Sequence, residues 1–278
     1  MSIKIVTDST ISIEADLIQK LGITIVPLNY MIDGVIYTDG DLSLNEYLER
    51  VEKSSTLPKT SQPPVGVFED LYRELTKDGN SVISIHLSNT LSGTVEAARQ
   101  GAALSGRDVT VIDSEFTDQA LAFQVIEAAR LAALDASKEE ILAAVKKIQE
   151  NTDLYCGVTT LENLIKGGRI GRVTGLIGGL LDLKVVLQMK DSALTTFMKG
   201  RGSKTFKKFI DEVSSNLAAS SRKVKEIGIS HAENLELAKS FKEVLQRFVE
   251  KPITLLETNT VIATHTGRGA FAVMITYE

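Results

Sequence analysis

The stretch 82–94 constrains the fold more than any other part of the chain. An apolar run at 82–87 delivers it and a helical pattern at 95–104 leaves from it, so it reads as a strand-loop-helix corner. Such a corner lifts Ser88, Thr90, Ser92 and Thr94, with free backbone N–H groups, to the carboxyl edge of a sheet. Open α/β folds bind ligands at that edge, and helix N-termini attract anions. The corner is therefore expected to hold an anion.

The alternation repeats on both sides of the corner. A short apolar strand at 3–6 ends in Thr7, Asp8 and Ser9, and helical spacing at 13–21 stops at Gly22. Residues 23–29 and 35–38 read as strands around the turn Asp33-Gly34. Ser43 with Glu46, and Ser137 with Glu140, have capping-box spacing and open helices. Between 54 and 64 lies a polar loop stiffened by Pro58, Pro63 and Pro64, which holds Thr60 and Ser61 ahead of a helix whose face is Phe68, Leu71, Tyr72 and Leu75. A strand at 109–112 and an alanine-rich helix at 120–134 follow. Parallel strands need helical crossovers, so residues 1–152 are expected to form a doubly wound, Rossmann-like domain with a parallel sheet.

From residue 153 the pattern changes. A strand at 154–159 leads into a glycine-rich stretch at 167–181, then into two strand-like runs, 183–189 and 193–198, that suggest a hairpin across 190–192. Helices and strands then alternate to the end, giving a second α/β domain at 153–278 with a mixed or antiparallel sheet. Two domains suit a chain of 278 residues.

Charge and motifs narrow the function. The net charge of −5 is spread without a long single-sign run, which argues against a nucleic-acid groove. No apolar run approaches a membrane span, and the first residues enter a strand without a signal-peptide layout, so a cytoplasmic protein is expected. The lone Cys156 sits in an apolar run as a small hydrophobe, and His86, His231 and His265 have no metal-ligand spacing, so neither a metal nor a cofactor is expected. His86 and His231 fall at strand ends as structural histidines; His265 lies in a polar turn at 264–269 that suits a ligand-facing donor. Thr90 stands where a nucleophile elbow needs its first glycine, yet Ser92 and His265 leave an acyl-directed hydrolase or transferase as the competing reading. Ser92 can equally cap the helix that follows it.

Taken together, Thr7-Asp8-Ser9, Thr60-Ser61-Gln62-Pro63, Leu91-Ser92-Gly93-Thr94, Gly167-Gly168-Arg169-Ile170 and His265-Thr266-Gly267 with Gly269 resemble, in order and spacing, the DegV family of bacterial fatty-acid-binding proteins. The resemblance implies a two-domain α/β fold with a long-chain fatty acid between the domains and no catalysis by the chain itself. A separate fatty acid kinase subunit would phosphorylate the presented carboxylate to an acyl-phosphate for phospholipid synthesis, with transient membrane contact. The same resemblance places the carboxylate on Thr60, Ser61, Ser92, Gly93 and His265, and gives Arg169, Arg172 and Arg201 either a partner-facing or a site-supporting role. Leu176, Ile177, Leu180, Leu181 and Phe197 are candidates to line the acyl tunnel, with core packing the favoured account of any single one. Pro64 and Arg268 depart from the family pattern.

Overall fold

Short apolar strands separated by capped helices build the first layer. The structure is a computed structural model that describes residues 2–174, 183–190, 192–202 and 204–278. Strand β1 (Ile3–Asp8), helix α1 (Ala15–Leu21) and strand β2 (Thr24–Val26) form the first unit, in which Gly22 closes α1 in the left-handed conformation (φ 63°). Strands β3 (Asn29–Ile32) and β4 (Val35–Thr38) form a hairpin through Asp33 (φ 47°) and Gly34 (φ 84°), the signature of a type I′ turn. Next come α2 (Leu44–Lys53), β5 (Lys59–Ser61), α3 (Val65–Thr76), β6 (Ser81–His86), α4 (Thr94–Ser105), β7 (Val109–Asp113), α5 (Asp118–Ala133) and α6 (Lys138–Glu150). Both expected capping boxes are present, Ser43 with Glu46 on α2 and Ser137 with Glu140 on α6.

The second half comprises β8 (Thr152–Val158), α7 (Glu162–Lys166), β9 (Val173–Thr174), β10 (Lys184–Lys190), β11 (Ala193–Gly200), α8 (Lys204–Ala219), β12 (Val224–His231), α9 (Leu235–Leu245), β13 (Thr254–Glu257), α10 (Thr260–Thr266) and β14 (Phe271–Tyr277). Among the described residues these strands form three sheets. The first is parallel, with order β2-β1-β6-β7; the second is mixed, with order β13-β12-β14-β8-β10-β11-β9; the third is the antiparallel β4-β3-β5. The chain is thus a two-domain α/β protein with a parallel sheet in its first half and a mixed sheet in its second. In the parallel sheet the order reverses direction between β1 and β6, so the open crevice lies at their carboxyl ends, where the corner at 87–94 begins.

Three local expectations change. Residues 23–29 do not run as one strand: Pro27 has no N–H to give to a ladder, so β2 ends at Val26 and Asn29 starts a different sheet. Thr60 and Ser61 lie on a strand rather than a loop, because β5 pairs with β3 in the register Asn29–Ser61 and Tyr30–Thr60. His265 lies in the last turn of a helix, α10, and not in a flexible turn. The Asn259 side chain accepts from the Ile262 N–H to cap that helix, and Ala263 is buried in the cluster of Tyr30, Leu44 and Tyr47.

Strand alternation sorts the second core into two sides. Tyr155 on β8, Val186 on β10 and Phe271 and Val273 on β14 pack with Phe206 and Phe209 of α8 and with Phe241 of α9. Their neighbours Leu154, Leu187, Met189 and Ala272 point the other way, toward the first domain. Phe197 is core rather than tunnel: it falls at the irregularity in β11, where the pairing passes from Thr196 to Met198, and both Phe197 and Met198 pack on the Tyr155–Phe209 side, while Leu194 faces the cavity. Leu176, Ile177, Leu180 and Leu181 lie outside the described residues.

Candidate functional site

The corner is held from below by a buried polar network. The His86 ring meets Asp8 Oδ2 at 3.0 Å through Nδ1 and Ser84 Oγ at 2.7 Å through Nε2, and Tyr72 OH donates to Ser84 Oγ. Asp8 Oδ2 also accepts the Leu87 N–H at 2.8 Å, and its Oδ1 accepts from the Thr10 N–H and hydroxyl. His86 and Asp8 are fully buried, so His86 is a structural strut that fixes where β6 releases the chain. His231 likewise closes a strand end: its Nδ1 accepts from the Asn234 N–H, and burial holds its pKa below the ordinary histidine value.

Above the strut, the Ser88 carbonyl accepts from the N–H groups of Leu91 and Ser92, and the Thr90 hydroxyl donates to the Ser192 carbonyl at 2.6 Å. Ser88 and Thr90 therefore shape the corner and tie it to the β10–β11 turn. Ser92 Oγ lies 2.9 Å from Thr94 Oγ1 and accepts from the Thr94 N–H at 3.3 Å. Gly93 is the residue that opens α4.

The second jaw comes from β5 and α10. Thr60 Oγ1 and His265 Nε2 are 2.8 Å apart, which joins the first sheet's domain to the last helix. Two more contacts seat that helix: Tyr47 OH with Thr264 Oγ1 at 2.7 Å, and Asn163 Nδ2 donating to the Thr264 carbonyl. Burial pushes the His265 imidazole down to about 4, and the positive Arg169 nearby adds to the shift, so the ring is neutral at pH 7. Among the described residues its Nδ1 has no hydrogen-bond partner, and it lies against Gly167, where a Cβ would come within 2.5 Å of it.

Arg169 is half-buried and faces inward. Its Nε donates to the Leu91 carbonyl at 3.1 Å and its Nη1 to the Gly167 carbonyl at 2.7 Å, so it bridges the corner to the glycine turn of the second domain. Burial and the neighbouring Arg172 lower its pKa. Arg172 and Arg201 are exposed, and neither lines the cavity.

These groups surround a cavity of about 380 Å³ between the two halves. Thr60, Ser61, Gln62, Ser92, Gly93, Arg169 and His265 line it, with Ser61 and Gln62 exposed at its mouth. Most of the remaining lining is apolar, with Leu28, Leu87, Leu91, Leu154, Leu187, Met189, Leu194, Val261 and Ala272, and the buried Thr10, Asp118 and Thr266 and the half-buried Thr117 interrupt it. Five expected residues, Thr60, Ser61, Ser92, Gly93 and His265, thus meet on one cavity. Cys156 also lines it while packing as a small hydrophobe against the cluster of Leu154, Leu187 and Ala272, and burial pushes its thiol up to about 12, so it is protonated and unreactive.

Sequence reasoning missed Gln62, although it lies within a noted motif, and it missed the inner wall. Alternation in β8, β10 and β14 marks two faces, but nothing in the strands alone says which face meets a ligand. Among the described residues no group of histidine, cysteine or carboxylate side chains is placed to hold a metal ion, and no helix is long and apolar enough to cross a membrane.

Known proteins share this architecture over its whole length. Residues 2–278 match the model of a family of uncharacterised proteins, the DegV family. The DegV domain-containing protein YejH of Lactococcus lactis is 59% identical over 278 residues, covering 100% of both chains. A DegV domain-containing protein of Streptococcus pneumoniae is 56% identical over 277 residues, covering 99% of each. Among solved structures, a fatty-acid-binding DegV family protein from Thermus thermophilus matches with a TM-score of 0.91 at 30% identity over 100% of both chains. DegV from Bacillus subtilis, a fatty acid binding protein, matches with a TM-score of 0.88 at 30% identity, again over 100% of both.

Proposed function

The chain belongs to the DegV family, and on that premise we propose that it is a non-enzymatic carrier of one long-chain fatty acid, held between a domain at residues 1–152 and a domain at 153–278. The observation that carries the reading is the polarity of the cavity. Thr60, Ser92, the His265 imidazole and the Arg169 guanidinium stand with the exposed Ser61 and Gln62, and the rest of the lining is mostly leucine, isoleucine, methionine, valine and alanine, with Thr10, Thr117, Asp118 and Thr266 among them. A ligand that matches this gradient has an anionic head at the mouth and a long apolar tail inside. The fatty acid binding of the Thermus and Bacillus relatives supports the same class of ligand.

Magnitudes assign separate tasks to head and tail. Burying about 15 methylenes at ~0.8 kcal/mol each contributes on the order of 12 kcal/mol before association costs. A hydrogen bond to a charged group nets about 1.5 to 3 kcal/mol. The tail therefore supplies most of the affinity. Thr60, Ser61, Ser92 and the Gly93 corner fix where the carboxylate sits, with His265 orienting Thr60 and Arg169 supplying positive charge. Because the neutral His265 can donate from Nε2 to Thr60 Oγ1, the Thr60 hydroxyl proton is free to point at the carboxylate.

A carboxylate held at the mouth is accessible from outside, which suits presentation to a separate fatty acid kinase subunit and acyl-phosphate formation for phospholipid synthesis. Arg172 and Arg201, exposed and outside the cavity, are the residues assigned to that partner. The hydrolase alternative would use Ser92 and His265. Here Ser92 Oγ is bonded to Thr94 and His265 Nε2 to Thr60, so the nucleophile–base contact that chemistry requires is replaced by two other bonds. The deciding experiment titrates delipidated protein with palmitate and assays it for turnover of activated acyl esters. Saturable binding without turnover is expected; turnover lost in Ser92→Ala would decide for the hydrolase.

A further inference from the structure

Gly93 is glycine for a reason its backbone does not explain. Its φ of −77° and ψ of 10° are open to any L-residue, so no left-handed conformation demands the missing side chain. Space does. A Cβ at Gly93 would stand 2.1 Å from Gln62 Oε1, 3.0 Å from its Cδ and 3.4 Å from its Nε2. The carboxamide of Gln62 therefore lies flat against the bare backbone of Gly93, beside Ser92, on the wall of the cavity.

The frame that puts it there is stiff. Ser61 is pinned to Asn29 in the β3–β5 ladder. Residue 62 precedes Pro63, which restricts it to extended backbone, and Pro64 leads straight into α3. The amide so placed has no hydrogen bond to any other group of the protein among the described residues, although it spans two jaws of the site. A carboxamide kept at a cavity mouth by a glycine cut-out, with both amide protons uncommitted, is a donor waiting for an acceptor.

We infer that Gln62 is a further head-group residue, which donates from Nε2 to the ligand's carboxylate, and that Gly93 is glycine in order to admit it. This rests on the fatty-acid reading above. Ser92 approaches the carboxylate from the corner and Thr60 from β5, with His265 of the second domain behind Thr60, and Gln62 closes over it from the solvent side. The amide distinguishes an ionised acid from a neutral head, because a donor to a charged acceptor gains roughly twice what a neutral pair does.

The two residues should behave as one unit. Gln62→Ala removes the donor; Gly93→Ala leaves the donor in place but pushes it off the wall, since the colliding atoms are the movable end of a side chain. Calorimetric titration of delipidated protein with palmitate should show each single variant weakened about tenfold, and the double variant no weaker than either single one. Gln62→Glu, of the same shape but with a second negative charge, should lose more than Gln62→Ala. The long-chain alcohol of the same length should lose only about threefold between wild type and Gln62→Ala. Wild-type palmitate affinity in Gln62→Ala, or additive losses in the double variant, would overturn the inference while leaving the carrier reading intact. Failure of wild type to bind palmitate at all would overturn both.

Discussion

Ala272→Leu tests the assignment of the inner wall. Ala272 sits on β14 between Cys156 on β8 and Ser230 on β12, and its methyl faces the cavity among Leu154, Leu187 and Met189. Leucine adds three carbons to that wall. In a cavity of about 380 Å³ those carbons occupy space that the end of an acyl chain would otherwise fill. Displacing about three methylenes at ~0.8 kcal/mol each removes about 2.4 kcal/mol, or roughly 60-fold in affinity. The loss should depend on chain length. Wild type should gain about fourfold per methylene from laurate to palmitate, and the variant should stop gaining before palmitate while binding laurate almost as well as wild type. The assay is calorimetric titration of delipidated protein with the saturated series. Equal loss for every chain length, or no loss for palmitate, would refute the placement of the tail against β8, β10 and β14.

Further outcomes concern the head group, its partner and pH. Ser92→Ala should weaken palmitate binding about tenfold and sharply reduce acyl-phosphate formation by a cognate kinase; unchanged phosphorylation would remove Ser92 from the clamp. Arg172→Ala and Arg201→Ala should leave the palmitate dissociation constant unchanged and lower the kinase rate, and loss of lipid from either would assign it to the cavity. His265 gives the ligand-free protein a stability that depends on pH. Folding holds its pKa at about 4, below the ordinary 6.5, so between those values the unfolded chain takes up a proton that the folded chain excludes. Stability is then complete above about 6.5 and is lost as pH falls toward 4, by at most about 3 kcal/mol. Urea unfolding of wild type and His265→Gln should show this slope in wild type and a flatter one in the variant; equal slopes would contradict a buried neutral imidazole.

Much of this architecture was legible in the chain because its signals are local. The serine–glutamate pairs at 43/46 and 137/140 specify their helix starts through bonds within one turn. Likewise, the apolar run ending at Leu87 and the hydroxyls after it carry the corner in one short stretch. What could not be read depends on distant neighbours. The polar residues at 264–269 read as a turn, yet His265 belongs to a helix, Thr260–Thr266, because Asn259 caps it and Ala263 is buried against Tyr30 and Tyr47. Phe197 can be read from the sequence as tunnel or core and is core, since the irregular pairing of β11 turns Phe197 and Met198 to the same side. Arg169 turns inward because the carbonyls of Leu91 and Gly167, 78 residues and two residues away in sequence, converge on its guanidinium. Gln62 escaped notice for the same reason: its significance is the absence of a side chain on Gly93, a relation that exists only in space.

The central claim is that the cavity is filled by one long-chain fatty acid. It is tested most directly by extracting the purified, undenatured protein with organic solvent and identifying the lipid by mass spectrometry, beside native mass spectrometry of the intact complex. The account predicts close to one long-chain fatty acid per chain, displaced stoichiometrically by added palmitate. An empty extract together with no uptake of palmitate, or a bound molecule without a carboxylate, would contradict it.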